Sequence, residues 1–381
     1  MGRLSPVHVK HAIQQIARIV TSFRNHVLNC HWGQLTAARR GALVVLSTVS
    51  RYIAAAAALT IGVSACSSGG SEDVLRVYSG RHYDLEQAFV QFSEQTGISI
   101  EFLTGTDAEL RERIQAEGKE TQADLYLTVD ASNLVTASEA GMFAPLTSSI
   151  LDEAVPQSLR GSNNEWFGLT MRARTIVYHP DHVSPSEIPS TYEELADPKW
   201  EGRLCLRNSS NVYTQSLVAS LIANIGRPAA LDVVSGWADN AEILNNDVLI
   251  LESIADGLCD VGIANHYYLA RMIEEDPEFP VKLSWVDQDG RGVHVNISGG
   301  GVTRHADDPD LAQQLLEWLA TDGQSVFVDN NHEYPVNPDV APEPLISEHF
   351  GTDFVRDNLD AGSFGALNAD AVRLMDEAGY R

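Results

Sequence analysis

From residue 74 onward the apolar positions change period several times. Val74-Leu75-Arg76-Val77-Tyr78 is a short run of strand length, and residues 85–94 carry Leu85, Ala88, Phe89 and Phe92 at helical spacing before Gly97 ends the pattern. Ile98-Ser99-Ile100-Glu101-Phe102 alternates as a second strand, 108–117 reads as a second helix, and Asp124-Leu125-Tyr126-Leu127-Thr128 reads as a third strand. This βαβαβ opening predicts a parallel, doubly wound sheet of the α/β class.

Two long extended stretches, 166–180 and 293–302, interrupt the alternation and read as crossovers between two lobes. Between them the pattern resumes. A strand at Gly202-Arg203-Leu204-Cys205-Leu206 leads through the cap Ser209-Ser210-Asn211 into a helix that runs to Ile222. A buried strand at Cys259-Asp260-Val261-Gly262-Ile263-Ala264 precedes a helix over 269–275, and 311–319 is helical again. Residues 67–381 exceed what one hydrophobic core takes, so two lobes are expected. The first comprises 74–172 and 300–381, ending in a helical extension, and the second 173–299. A ligand cleft lies between them.

Residues 1–65 belong to a different regime. They hold no Asp or Glu and seven basic residues, Arg3, Lys10, Arg18, Arg24, Arg39, Arg40 and Arg51. The apolar run 53–63 is too short to span a bilayer stably and leads into Val63-Ser64-Ala65-Cys66. A basic region, a short apolar core and small residues before a cleavage point predict a secretory signal over 1–65. The cysteine directly after the small residues resembles a bacterial lipobox, which implies a diacylglyceryl anchor on Cys66 and a tether over 67–73; the alternative is an ordinary cleaved signal. Residues 1–50 exceed a normal basic leader, as an overextended gene start would, although no Met lies between Met1 and Met142.

Without the seven leading basic residues, 19 basic face 52 acidic residues, a formal charge of about −33 that argues against nucleic acid as a partner. Two cysteines remain after Cys66, Cys205 and Cys259, each on a strand-like segment. In an exported protein such a pair can form a disulfide, and the spacing leaves open whether the two strands are neighbours.

The candidate chemistry is phenolic. Tyr83 follows the first strand, Tyr213 opens the helix behind Ser209-Ser210-Asn211, and Tyr267 and Tyr268 follow a later strand. All four sit at strand-to-helix junctions, the end of an open α/β sheet where ligands bind. His82 adjoins Tyr83. A tyrosine pair at a helix start is usually packing; four phenols and an imidazole converging on one cleft instead suit a hard, highly charged cation such as Fe(III). Tyr126 and Tyr178 lie within strand patterns and read as packing, and His266, His294 and His305 as surface or supporting polar contacts.

With these residues in view, the chain resembles the ferric-ion-binding proteins of bacterial iron ABC transporters. Arg81-His82-Tyr83, Asn208-Ser209-Ser210-Asn211-Val212-Tyr213 and Asn265-His266-Tyr267-Tyr268-Leu269 match that family's iron-site motifs. Gly168-Leu169-Thr170-Met171-Arg172-Ala173-Arg174, Asn296-Ile297-Ser298-Gly299 and Glu333-Tyr334-Pro335-Val336-Asn337 match its usual sequence, in the same order, over roughly 74–345. The resemblance implies a two-lobed periplasmic-binding-protein type II fold, with two doubly wound sheets joined by two crossover strands. It implies Tyr83, Tyr213, Tyr267 and Tyr268 as iron ligands, with His82 a ligand in some members and not in others. It also implies a non-enzymatic monomer that captures Fe(III) outside the inner membrane and delivers it to an ABC permease and its ATPase.

Four phenolates around Fe(III) leave one net negative charge. Arg81, Arg172, Arg174 and Arg271 lie near the motif positions, where cations would offset that charge and lower the phenol pKa values; the alternative is that each pairs with one of the plentiful carboxylates. Ser209, Ser210 and Asn211 either hold an anion at a helix N-terminus or only cap it. Two other functions compete. A carrier of this fold for an organic cation, such as thiamine or a polyamine, would stack its ligand on aromatic faces and need acidic partners, and none adjoins Tyr267-Tyr268. A non-haem iron enzyme would use two histidines and one carboxylate with open positions, for which a tyrosine-saturated site leaves little room.

Overall fold

The parallel strands form where the apolar runs predict them. In a computed structural model that describes residues 73–81, 86–357 and 361–381, β1 (Val74–Ser79) pairs in parallel with both β2 (Ser99–Thr104) and β3 (Leu125–Thr128). The predicted leader, Cys66, His82 and Tyr83 lie outside the described residues. Helices α1 (Glu86–Thr96) and α2 (Asp107–Glu117) connect these strands. A capping box starts α2: the Thr106 side chain accepts the Glu109 N–H while the Glu109 carboxylate accepts the Thr106 N–H. Helix α3 (Ala131–Glu139) follows β3, with Asp130 as its N-cap.

The first long extended stretch is a single buried strand, β4 (Phe167–Tyr178). After it come β5 (Leu204–Arg207), α4 (Val212–Ile225), α5 (Arg227–Asn240), β6 (Ala241–Leu244), α6 (Asp247–Ala255), β7 (Val261–Asn265), α7 (His266–Glu275) and β8 (Lys282–Ser284). The second stretch is β9 (Val295–Val302), followed by α8 (Pro309–Ala320) and β10 (Tyr334–Pro335). Among the described residues the strands form one hydrogen-bonded path, β2-β1-β3-β9-β4-β7-β5-β6, with β8 and β10 each paired to β4.

The two sheets expected from the sequence meet on β4, which changes partner along its length. Its residues 167–173 run antiparallel to β9, and Arg174 to Tyr178 run antiparallel to β7. β9 in turn joins β3, and on its other side Gly299 lets its backbone close on β4, since a Cβ there would lie 2.4 Å from the Phe167 carbonyl oxygen. β5 runs parallel to β6 and β7, and the pairing of Leu204 with Val261 brings Cys205 and Cys259 together in a disulfide with a Cα–Cα distance of 5.8 Å. The strand adjacency that the sequence left open is thereby settled.

The chain end departs from the expected grouping of 300–381 with the first lobe. Helix α9 (Ala361–Gly365) packs on α3, with a Cβ at Gly365 falling 3.0 Å from the Val135 side chain, but α10 (Asn368–Glu377) packs on α4 and α5. Asn368 donates to Gln215 at 3.4 Å and Arg227 pairs with Glu377 at 2.7 Å. An amphipathic helix records in sequence that one face is buried, not against what. Among the described residues no helix is long and apolar enough to cross a membrane.

Candidate metal centre

β5 and β7 lie side by side, and each delivers a tyrosine-bearing helix. At the end of β5 the Asn211 side chain accepts the Tyr213 N–H at 3.0 Å, capping α4 and placing Tyr213 in its first turn with the ring buried. Asn211 thus acts as the cap, Ser209 accepts from Gln215 through its carbonyl, and Ser210 is exposed and bonded to Asn208. At the end of β7 the helix starts at His266, three residues before the start expected at Leu269, so Tyr267 and Tyr268 fall in its first turn. Their ring centroids are 4.3 Å apart, Tyr267 buried and Tyr268 half-buried.

Three guanidinium groups converge on these rings. Arg172 and Arg207 lie 5.4 and 5.6 Å from the Tyr213 ring, and Arg271 lies 5.3 Å from Tyr267 and 5.7 Å from Tyr268. Arg207 is also drawn electrostatically to Tyr268. Burial works against the charge of Arg172, yet attraction to Tyr213, Glu333, Tyr267 and Asp130 leaves its pKa raised. The same opposition holds at Arg207, where Asp247 and Tyr268 outweigh burial. Arg172 and Arg207 therefore tie the three tyrosines into one locus. The Asn265 amide donates to the Tyr267 hydroxyl oxygen at 3.4 Å.

Two buried carboxylates that the sequence reading gave no role organise the arginines. Asp247, in the first turn of α6, accepts from Arg174 at 2.7 Å, from Arg207, and from the Asn265 N–H at 3.0 Å. Burial pushes its pKa up, but Arg174 and Arg207 outweigh this and hold it below the usual carboxylate range. Glu333 receives Arg81 at 2.6 Å and the Asn331 amide at 2.7 Å, while the Asn331 side-chain oxygen accepts from Arg271. Arg81 also donates to Ser298 and lies 4.4 Å from the Phe327 ring. Thus Arg81 and Arg174 each face a buried carboxylate, whereas Arg172 donates to the Val129 carbonyl. Local signals for the missed groups existed: Arg207 ends a predicted strand, Asp247 follows a capping Asn246, and Glu333 stands in a quoted motif.

The histidines are structural. His266 is fully buried, accepts the Ala173 N–H at 3.2 Å through Nδ1 and reaches the His332 carbonyl at 2.9 Å through Nε2. Burial pulls its pKa to about 4, so it is neutral at physiological pH. His294 is buried 3.0 Å from the Ser216 hydroxyl, and His305 is exposed. Tyr126 is buried in β3 and donates to the Asp107 carbonyl at 2.6 Å, and Tyr178 is half-buried at the end of β4. Among the described residues no group of three or more His, Cys, Asp or Glu side chains is placed to hold a metal. The side chains gathered at this locus are phenols and guanidinium groups.

A family model described as bacterial extracellular solute-binding protein matches residues 87–351. The chain is 40% identical to iron uptake protein A1 of Synechocystis sp., over 82% of this chain and 89% of that protein. Among solved structures it matches Trichodesmium FutA in complex with iron and citrate at 40% identity and a TM-score of 0.76, covering 81% of this chain and all of that one. Apo FutA2 of Synechocystis matches at 38% identity and a TM-score of 0.75, with the same coverage. With its type II binding-protein fold and its tyrosine-lined junctions, the chain belongs to the bacterial extracellular solute-binding proteins, as a non-catalytic, extracytoplasmic component of an ABC importer homologous to Fe(III)-binding proteins.

Proposed function

We propose that this chain captures Fe(III) through the phenolate oxygens of Tyr213, Tyr267 and Tyr268, completed by Tyr83, and delivers it to a permease and its ATPase in the inner membrane. The observation that carries the proposal is the convergence of Arg172, Arg207 and Arg271 on three tyrosines from two helix starts. A phenol has an ordinary pKa of about 10 and keeps its proton at neutral pH unless positive charge stabilises the phenolate. Guanidinium groups supply part of that charge, and Fe(III) the rest. The same groups disfavour an organic cation, because its positive charge would meet arginines already lying against the ring faces.

His82 is a further candidate ligand beside Tyr83. Arg81, Arg174 and Arg271 act through buried partners, and of Ser209, Ser210 and Asn211 it is Asn211 that caps the helix. In this reading residues 74–172 with the segment from 300 through α9 form one lobe and 173–299, with α10 seated on it, the other, and iron draws them together by binding both. A lipid on Cys66 keeps the carrier at the membrane surface, a point that fatty-acid labelling of wild type and Cys66→Ser tests directly.

The decisive experiment is metal titration with visible spectroscopy. Wild-type protein should develop a phenolate-to-Fe(III) charge-transfer band, and Tyr213→Phe, Tyr267→Phe and Tyr268→Phe should each weaken binding markedly while the fold survives. Acid should bleach the band as protons compete for the phenolates. If all three single variants hold Fe(III) as tightly as wild type, the ligand assignment is wrong.

A further inference from the structure

The second-last residue of the chain reaches the arginine that joins Tyr213 to Tyr268. Helix α10 ends in a Schellman motif: the Tyr380 N–H bonds the Met375 carbonyl at 2.9 Å, the Gly379 N–H bonds the Asp376 carbonyl at 3.1 Å, and Gly379 takes φ 73°. That left-handed residue turns the chain back onto the protein, where the Tyr380 ring is almost wholly buried. Its hydroxyl donates to the Arg207 carbonyl at 2.5 Å. Arg207 is the last residue of β5, and its side chain meets Asp247, the Tyr213 ring and Tyr268.

We infer that Tyr380 is a positioning residue for the iron site, fixing the main chain at Arg207 and, through it, the guanidinium that neutralises Tyr213 and Tyr268. This rests on the phenolate reading above. Three features support it. A hydroxyl bonded to a main-chain carbonyl restrains the strand end itself. Arg207 opens the short 208–211 turn into α4, so a shift there displaces Tyr213 as well as the guanidinium. Tyr380 is also electrostatically close to Arg174 and Asp247, the other two members of the ion cluster. The C-terminal helix thus closes the far side of the site.

Tyr380→Phe keeps the ring and removes only the hydroxyl, so the helix stays seated. The Fe(III) affinity of the purified protein, read by competition with citrate, should fall roughly two- to tenfold, the effect of one hydrogen bond. The charge-transfer maximum should move as well, because the Arg207 guanidinium shifts relative to the Tyr213 ring and Tyr268; a purely structural role would leave it in place. In an Arg207→Gln background the substitution should have no further effect on either reading. Glu377→Gln, which removes only the exposed Arg227–Glu377 pair on the same helix, should match wild type. Wild-type affinity and an unmoved band in Tyr380→Phe would overturn the inference while leaving the tyrosine ligands standing. A wild-type protein that takes up no Fe(III) would overturn both.

Discussion

Tyr126 and Tyr267 are equally buried, 0% and 1% exposed, yet their hydroxyls face opposite kinds of partner. Tyr126 belongs with Tyr192, Tyr334 and Tyr380, each of which donates its hydroxyl to a main-chain carbonyl, of Asp107, Arg174, Gly351 and Arg207 respectively. Burial raises the pKa of all four, and the donated hydrogen bond needs the proton. Tyr267 instead receives a hydrogen bond from Asn265, and guanidinium groups lie against the rings of Tyr213, Tyr267 and Tyr268. A hydrogen bond received by oxygen favours the phenolate. Burial alone therefore does not separate a packing tyrosine from a candidate ligand; a hydroxyl donated to a main-chain carbonyl marks the packing set, including Tyr192, whose oxygen also accepts the His294 N–H.

The largest way to break that contrast is to remove the carboxylate that holds two of the arginines. Asp247→Ala leaves Arg174 and Arg207 buried without their counter-ion, which should cost about 3–5 kcal/mol of stability, measured by denaturant unfolding at neutral pH. The pH dependence has a definite sign. Because Arg174 and Arg207 outweigh burial and depress the pKa of Asp247, its stabilisation is complete above the ordinary Asp value of about 3.9 and fades as pH falls through the lower folded value. The gap between wild type and variant should begin to close below about pH 3.9. A gap independent of pH would mean that the carboxylate acts through packing alone.

Exchanging tyrosine for phenylalanine across the two sets sharpens the contrast further. Tyr126→Phe strips the Asp107 carbonyl of a buried donor and should cost about 1–3 kcal/mol, with no change in Fe(III) affinity. Tyr267→Phe should do the reverse, costing little stability and most of the charge-transfer band. Tyr178→Phe, at the half-buried end of β4, should change neither. Parallel thermal melts and iron titrations of the three variants check all of this, and a Tyr126 variant that lost iron would erase the distinction.

The parts of this arrangement that were legible in the sequence are local. β1, β2, β3, β5 and β7, both crossovers and the placement of Tyr213, Tyr267 and Tyr268 at strand-to-helix junctions follow from periodicity and capping residues. The carboxylates were illegible because their partners lie far along the chain: Arg174 and Asp247 are 73 residues apart, and Arg81 and Glu333 are 252 apart. Many carboxylates compete for the same cations in so acidic a chain, and only the register of β4 against β7 selects Asp247. His266 takes the supporting-contact side of its two readings, a choice the sequence leaves open because nothing local marks a histidine as fully enclosed between Ala173 and the His332 carbonyl. The seat of α10 on α4 and α5 was missed for the same reason, since amphipathicity names a buried face and not its partner.

The smallest expected effect tests whether the region behind the tyrosine pair belongs to their electrostatics. His332 bonds Glu343 through Nδ1 and lies 3.3 Å from Glu274 through Nε2, and Glu274 stands on α7, the helix that carries Tyr267 and Tyr268. Burial pulls the His332 pKa down, but the hydrogen bond and charge of Glu343, with the charge of Glu274, leave it raised. A histidine with a raised folded-state pKa contributes stability that is complete below its ordinary value of about 6.5 and is lost as pH rises through the raised one. Glu343→Gln removes the stronger partner and should cost about 1 kcal/mol below pH 6.5, less above it, seen as a flatter dependence of Tm on pH. Iron colour should be unaffected, because His332 steadies the far side of α7 and touches the phenols only through the helix. A shifted charge-transfer band in Glu343→Gln would place His332 among the groups that tune the phenolates, and the boundary drawn between the two sets of tyrosines would then have to include the carboxylates around it.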